Sequence, residues 1–156
     1  MLSDFLIREA APADIPEIMF QRRAMFENMG VGDPASLAAM LAASEAYFHD
    51  AVRQGSFRGW LAVTPSGQIA GGGAVVISLS PPHPWDTGVR RASILNLYTY
   101  PAFRRLGIAR RLMQTMIEWC RREGFGSISL HASQFGRPLY EGLGFQPTNE
   151  MRLKLK

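Results

Sequence analysis

The sequence predicts a mixed α/β fold, in which one central sheet is partly antiparallel and partly parallel and is flanked by helices. Residues 57–79 have the pattern of two strands joined by a tight turn at residues 65–67, which predicts an antiparallel hairpin. Residues 93–133 have the pattern of a strand, an amphipathic helix and a second strand, and a crossover of this kind makes its two strands parallel. The 156 residues fit a single domain, residues 1–156.

The first third of the chain predicts one strand and two helices. Residues 2–10 alternate weakly and predict a strand, and Asp14 then supplies a helix start. The first helix should end near residues 28–32, and its apolar positions are Ile15, Ile18, Met19 and Met25. Asp33 followed by Pro34 predicts the start of the second helix. The apolar face of the second helix is predicted to contain Leu37, Met40, Leu41, Tyr47 and Phe48.

Three consecutive glycines lie inside the second strand of the hairpin, which is predicted over residues 68–79. Gly71, Gly72 and Gly73 are not followed by a helix, so they do not match a phosphate-binding loop. A β-bulge or the close packing of a neighbouring segment is the better interpretation. Residues 80–88 are rich in proline and predict an irregular loop.

The second half of the chain predicts the parallel part of the sheet. Residues 93–100 predict the central strand, and residues 107–123 predict a helix that ends at Gly124. The apolar face of this helix contains Ile108, Leu112, Met116 and Trp119. Residues 127–133 predict the next strand, and Pro138 lies near the start of a short helix that Gly144 ends. Residues 145–155 are expected to form one or two last strands around Pro147.

Composition excludes several classes of protein. Hydrophobic residues at 47% and charged residues at 19% are typical of a folded globular protein. The single cysteine, Cys120, cannot form an internal disulfide, and His49, His83 and His131 lack metal-ligand spacing, so we expect no bound metal. The amino terminus has no secretion-signal pattern and the longest apolar stretch, residues 69–79, is too short to span a bilayer. A reducing, cytoplasmic location is therefore the expectation.

The stretch from residue 104 to residue 112 predicts an anion site. The chain leaves the central strand, turns through Gly107 and enters a helix, which directs unpaired backbone N–H groups and the positive end of the helix dipole to one point. Gly107 and Ala109 are small enough for a ligand to approach the backbone. Guanidinium groups suited to phosphate oxygens surround them at Arg104, Arg105, Arg110 and Arg111. These features together indicate a diphosphate.

The positive charge of the chain has the same explanation. The formal net charge is +4, and six of the 17 basic residues lie in pairs between residues 104 and 122. An interrupted basic cluster beside a phosphate loop favours a polyanionic cofactor over a nucleic acid, and the chain has no nucleic-acid reader motif. A basic nucleic-acid-binding module is the rejected alternative, and it would bind with an affinity that falls steeply with salt.

The order of these motifs resembles the GNAT superfamily of N-acetyltransferases. R-x-x-G-x-A at Arg104, Gly107 and Ala109 is similar to the acyl-CoA pyrophosphate loop of that family. LNLYTYPAF before the loop resembles the family's fourth strand, and SISLHAS followed by PLYEGLGF resembles its fifth strand and the helix after it. The resemblance covers residues 93–145 in the expected order and extends loosely to FLIREAAPADIPEI at the amino terminus.

The resemblance implies a fold in which acyl-CoA lies between splayed fourth and fifth strands. The backbone of Leu97, Tyr98 and Thr99 would pair with the pantetheine arm as an added strand does. The diphosphate would bind the loop formed by Arg104, Arg105, Leu106, Gly107, Ile108, Ala109 and Arg110. Ser133 stands where the family commonly has an asparagine that touches the pantetheine arm. Tyr140 matches the tyrosine that protonates the departing thiolate, a role that suits a phenol held in a hydrogen bond.

The resemblance also implies the reaction. It predicts an acetyl-CoA-dependent N-acetyltransferase that transfers the acetyl group directly to a primary amine in a ternary complex. The acceptor is a small molecule or a peptide, and the first two helices would form one wall of its cleft, with Phe26, Glu27 and Met29 near the rim. Family members are often dimers, so a homodimer is expected. The alternative is a non-catalytic acyl-CoA-binding or sensor module, which would not need Tyr140.

The general base is not defined by the sequence. Many family members place a glutamate on or beside the fourth strand, but residues 87–117 of this chain contain no acidic residue. The candidates are Glu27, His83, Asp86 and His131, or a water molecule.

Overall fold

The computed structural model describes residues 4–156 and builds one sheet in the strand order β1-β2-β3-β4-β5. The strands are β1 (Leu6–Glu9), β2 (Phe57–Val63), β3 (Ile69–Leu79), β4 (Arg90–Thr99) and β5 (Ile128–Leu130). Neighbouring strands from β1 to β4 are antiparallel, and β4 and β5 are parallel. The predicted mixed sheet is therefore confirmed. Positions 2 and 3 of the predicted first strand lie outside the described residues.

Four α-helices surround this sheet within residues 4–156, and three of them begin where capping residues predict. The helices are α1 (Ile15–Asn28), α2 (Pro34–Gln54), α3 (Ile108–Arg122) and α4 (Arg137–Gly142). Asp33 accepts a hydrogen bond from the Ser36 N–H at 2.7 Å and so caps α2. Gly107, with φ of 78°, lies immediately before α3. No helix in the described part of the chain is long and apolar enough to cross a membrane.

The two faces of the sheet carry separate hydrophobic cores. One core packs α3 against the sheet, and all four residues predicted on its apolar face are buried there: Ile108, Leu112, Met116 and Trp119. The other core packs α1 and α2 against the opposite face through Ile15, Ile18, Phe48, Phe57 and Ala74. The prediction that Tyr47 lies on the buried face of α2 is wrong, because it is 47% exposed, although its ring lies 5.3 Å from the ring of Phe48.

The three glycines of β3 allow other segments to approach closely. A Cβ at Gly71 would lie 2.5 Å from the Tyr98 carbonyl oxygen, and one at Gly73 would lie 2.8 Å from the Met116 methyl carbon. The pairing of β3 with β4 also shifts its register between Gly72 and Ala74. Both predicted reasons for the glycines, close packing and a bulge, are confirmed.

The predicted last strands are wrong. Residues 145–156 contain no strand, and the alternating apolar side chains of Met151, Leu153 and Leu155 are 94%, 82% and 87% exposed. An alternating pattern forms a strand only where a sheet edge accepts it, and Pro147 also lacks the N–H that pairing needs. β5, predicted over residues 127–133, is only three residues long.

Candidate active site

A bulge in the middle of β4 sets the geometry of the site. Two β4 residues, Asn96 and Leu97, lie where β3 has only Gly73. Asn96 has a φ of 57°, a left-handed conformation that asparagine tolerates better than most residues. The extra residue changes which side chains face each side of the sheet. Leu97 packs in the core beneath α3, whereas the side chain of Asn96 contacts α1.

Beyond the bulge, β4 has a free edge. β4 and β5 pair only where residues 92–94 meet residues 128–130, and β5 ends at Leu130 while β4 continues to Thr99. On the β5 side, Leu97, Tyr98 and Thr99 therefore have no strand partner among the described residues. His131, which follows β5, is exposed at the point where the strands separate. The splayed arrangement of the fourth and fifth strands is present.

The free edge leads to a cluster of backbone donors. Arg105 and Gly107 have φ values of 65° and 78°, and left-handed residues at alternate positions turn successive N–H groups toward one point. The first hydrogen bond of α3 is donated by the Arg111 N–H to the Gly107 carbonyl. The N–H groups of residues 107–110 have no acceptor among residues 4–156. The Ile108 side chain is buried, so only its N–H faces the turn. Unpaired N–H groups at a helix start form the kind of site that binds anions.

Two arginines of the loop approach other elements of the fold. Arg104 Nε donates to the Thr99 carbonyl at 3.1 Å, which ties the loop to the end of β4, and its guanidinium lies 6.0 Å from the Tyr98 ring centre. Arg110 extends toward α4, because a Cβ at Gly142 would lie 3.3 Å from its Nη2. Arg105 and Leu106 are exposed at the turn. Arg104 is thus directed toward the end of β4 and Arg110 toward α4.

Tyr140 lies on α4, which follows the free segment after β5. Its ring is partly buried and packs edge-on against Phe145 at a centroid distance of 6.1 Å. A Cβ at Gly136 would lie 3.1 Å from the Tyr140 hydroxyl, so only glycine leaves that space free. Burial raises the pKa of Tyr140. Ser133 Oγ accepts a hydrogen bond from the Gly136 N–H at 3.2 Å and thereby holds the turn into α4.

A polar cluster between α1 and β4 was not selected by the sequence analysis. Glu17 accepts hydrogen bonds from the Tyr100 hydroxyl and from Gln21 Nε2, the latter at 2.9 Å. Arg22 Nη1 donates to Asn96 Oδ1 at 2.7 Å. Burial and the hydrogen bond to Glu17 raise the pKa of Tyr100 well above its ordinary value. The helical spacing does indicate that two of these residues face inward, because positions 21 and 22 follow the apolar residue Ile18 by three and four residues and so share its face of α1.

The candidate bases lie in different places. Glu27 is exposed at the end of α1 and forms an ion pair with Arg23 at 2.7 Å. Asp86, which pairs with His83 in a β-bridge, binds Arg91 at 3.4 Å. Arg91 lies five residues before the bulge residue Asn96, a separation of about 17 Å along β4. His131 is the candidate beside the splay. Within residues 4–156, no three His, Cys, Asp or Glu side chains are grouped as metal ligands.

The family comparison agrees with this geometry. The model of the Acetyltransferase (GNAT) family matches residues 21–145. The matched region includes the bulge, the backbone donors before α3 and Tyr140. The chain belongs to the GNAT acetyltransferase family and is an acyltransferase.

Solved structures give the same fold. A GCN5-related N-acetyltransferase from Ralstonia eutropha JMP134 is 31% identical with a TM-score of 0.91, and the match covers 97% of this chain and 98% of that chain. A predicted acetyltransferase with acetyl-CoA from Clostridium acetobutylicum is 27% identical with a TM-score of 0.85, covering 97% and 96%. The glucosamine-6-phosphate N-acetyltransferase of Arabidopsis thaliana is 16% identical with a TM-score of 0.65, covering 96% and 97%, and shows the fold alone. No curated protein matches the sequence significantly.

Proposed function

We propose that residues 1–156 form a single-domain enzyme that transfers the acetyl group of acetyl-CoA to a primary amine of a small-molecule or peptide acceptor. One observation carries the proposal: the free edge of β4 after the bulge leads directly to the unpaired N–H groups before α3. A strand edge followed by an anion site suits a ligand with an amide-containing arm and a diphosphate. The similar structure from Clostridium acetobutylicum contains acetyl-CoA, which supports this choice of ligand.

The residues predicted from the sequence have compatible roles in this proposal. The pantetheine arm pairs with the backbone of Leu97, Tyr98 and Thr99, and Ser133 lies on the other side of the opening. The diphosphate accepts hydrogen bonds from the loop and from the first turn of α3, which comprise Arg104, Arg105, Leu106, Gly107, Ile108, Ala109 and Arg110. Because Gly107 and Ala109 have no large side chain, the phosphate oxygens can reach the N–H groups. Arginine side chains balance the negative charge.

The reaction joins the amine nitrogen to the thioester carbonyl carbon. A C–N bond forms, the C–S bond breaks, the amine loses a proton and the CoA thiolate gains one. Tyr140 donates the proton to the thiolate, since it lies on the helix that follows the splay and carries a phenol hydroxyl. A phenol is protonated at neutral pH without any shift, and the raised pKa of Tyr140 makes it a weaker acid, so transfer to the thiolate requires a hydrogen bond that is already formed before the C–S bond breaks.

Transfer without a cysteine intermediate is expected, because Cys120 is not suited to be a nucleophile. Its side chain is 1% exposed within the core beneath α3, and burial raises the pKa of its thiol to about 11. We expect Cys120→Ala to retain turnover within about twofold of the wild-type value. The measurement is free-thiol release from acetyl-CoA with each protein. An acetylated Cys120 that passes its acetyl group to the amine at the catalytic rate would contradict direct transfer.

The experiment that tests the function is a screen of acetyl-CoA turnover across a panel of amines. Thiol release that depends on both the amine and the protein is the expected result, with the acetylated amine identified by mass spectrometry. Tight acetyl-CoA binding without turnover on any amine would instead support the sensor module. Absence of both binding and turnover would remove the acetyl-CoA assignment.

A further inference from the structure

The side chain of Arg22 is a partly buried cation without a neighbouring anion. Its Nη1 donates to Asn96 Oδ1 at 2.7 Å, and its guanidinium carbon lies 5.0 Å from the centre of the Phe26 ring. Among residues 4–156, no carboxylate lies within ion-pair distance of Arg22. The adjacent Arg23, by contrast, is exposed and pairs with Glu27. Arg22 is therefore the arginine of α1 whose charge the protein does not balance.

The surroundings of Arg22 favour an anion as its missing partner. Burial lowers the pKa of Arg22 and Tyr47 acts in the opposite direction, yet a guanidinium stays protonated in proteins. A partly desolvated guanidinium has N–H groups left for a bidentate partner after one bond to a neutral amide. Carboxylates and phosphates have the geometry that this fork prefers.

Asn96 also has an unsatisfied donor, on the side of its amide that faces away from Arg22. A guanidinium only donates, so the amide oxygen of Asn96 must face Arg22 and its Nδ2 must point away. That Nδ2 is buried without a hydrogen-bond acceptor in the described structure, and the residue as a whole is 5% exposed. Buried amide donors are normally paired. Asn96 therefore orients the guanidinium of Arg22 through its amide oxygen, and the other N–H groups of Arg22 are the donors left for an anion.

The Arg22–Asn96 pair lies next to the part of β4 that the pantetheine arm is proposed to follow. Asn96 is the bulge residue next to Leu97, where the proposed pantetheine arm begins to follow β4. Arg22 Nη1 lies 2.7 Å from Asn96 Oδ1, and Leu97 is the next residue of β4, so in the proposed complex a ligand on Arg22 lies near the thioester end of that arm. An acceptor whose anionic group binds Arg22 must carry its amine only a few bonds from that group, because the amine nitrogen has to reach the thioester carbonyl.

We propose that Arg22 is a specificity-determining residue that binds the acceptor, and that the acceptor is an amine carrying a carboxylate or phosphate group close to its nitrogen. This inference rests on the proposed acetyl transfer. It adds the class of acceptor, which neither the fold nor the family comparison assigns.

The test compares amines that differ only in the anionic group. Glycine is paired with methylamine, L-phenylalanine with phenethylamine, and aminoethylphosphonate with ethylamine, so that carboxylate and phosphonate are separate arms. We expect wild-type kcat/KM to be at least about tenfold higher for the anionic member of a pair. In Arg22→Gln this preference should fall to about onefold, mainly through KM, while acetyl-CoA affinity stays unchanged.

Two further variants separate recognition from folding. Arg23→Gln removes a neighbouring charge of α1 without touching Asn96 and should keep the wild-type preference. Arg22→Lys keeps the charge but loses the fork, so it should restore part of the preference. If wild-type protein acetylates both members of each pair equally, or if Arg22→Gln slows both members equally, the inference is wrong.

A binding measurement distinguishes this inference from the proposed function. Calorimetry of the CoA-loaded protein with glycine, L-phenylalanine and aminoethylphosphonate needs no turnover. Binding that Arg22→Gln abolishes and Arg23→Gln preserves would support the anion site even if no amine is acetylated, in which case the transferase proposal fails alone. Acetylation of neutral amines without any Arg22-dependent binding would remove the anion site and leave the transferase proposal intact.

Discussion

Replacing Gly107 with valine is expected to lower the affinity for acetyl-CoA by at least about a hundredfold while the protein stays folded. Gly107 has a φ of 78° at the start of α3, and its N–H belongs to the group of donors without a protein acceptor. A valine side chain would occupy the space through which the diphosphate reaches these donors. It would also disfavour the left-handed conformation that directs them to one point. Isothermal calorimetry with acetyl-CoA measures the loss.

The matched control is Gly124→Val at the other end of the same helix. Gly124 has a φ of 80° and no atom within 4 Å of an added Cβ, so this variant carries the same backbone strain without obstructing the site. Its melting temperature should fall about as much as that of Gly107→Val, and its acetyl-CoA affinity should match the wild type. Undiminished affinity in a folded Gly107→Val protein would remove the diphosphate site from the proposal.

The Tyr140→Phe variant is expected to reduce turnover by about ten- to a thousandfold with little change in acetyl-CoA affinity. The hydroxyl is needed mainly as the C–S bond breaks, whereas the ring packs against Phe145 in either variant. Binding and turnover are measured on the same preparation.

The remaining outcomes of the Tyr140 experiment have distinct meanings. Loss of binding and turnover together, with a lower melting temperature, would show that Tyr140 is a packing residue. Unchanged turnover would show that water or the substrate supplies the proton, and the acid role would then be wrong.

Much of the site could be predicted because its parts are local in sequence. The backbone donors before α3 depend on a strand end, Gly107 and a helix start, all within a few consecutive residues, so the sequence determines their geometry. The glycines of β3 were interpreted correctly for the same reason, since the absence of a following helix excludes a phosphate loop. Helix starts at Asp33 and Gly107 also depend on adjacent residues.

Contacts between distant segments were decided only by the tertiary structure. Tyr100 meets Glu17 across 83 positions, and Arg22 meets Asn96 across 74. The helical spacing indicates that Arg22 faces inward, but the partner in each pair depends on where α1 crosses the sheet, which the sequence does not show. Residues 145–155 have the alternation of a strand but find no edge in the described structure. Local backbone geometry follows from neighbouring residues, whereas side-chain partners and strand pairing need a second segment that sequence alone does not position.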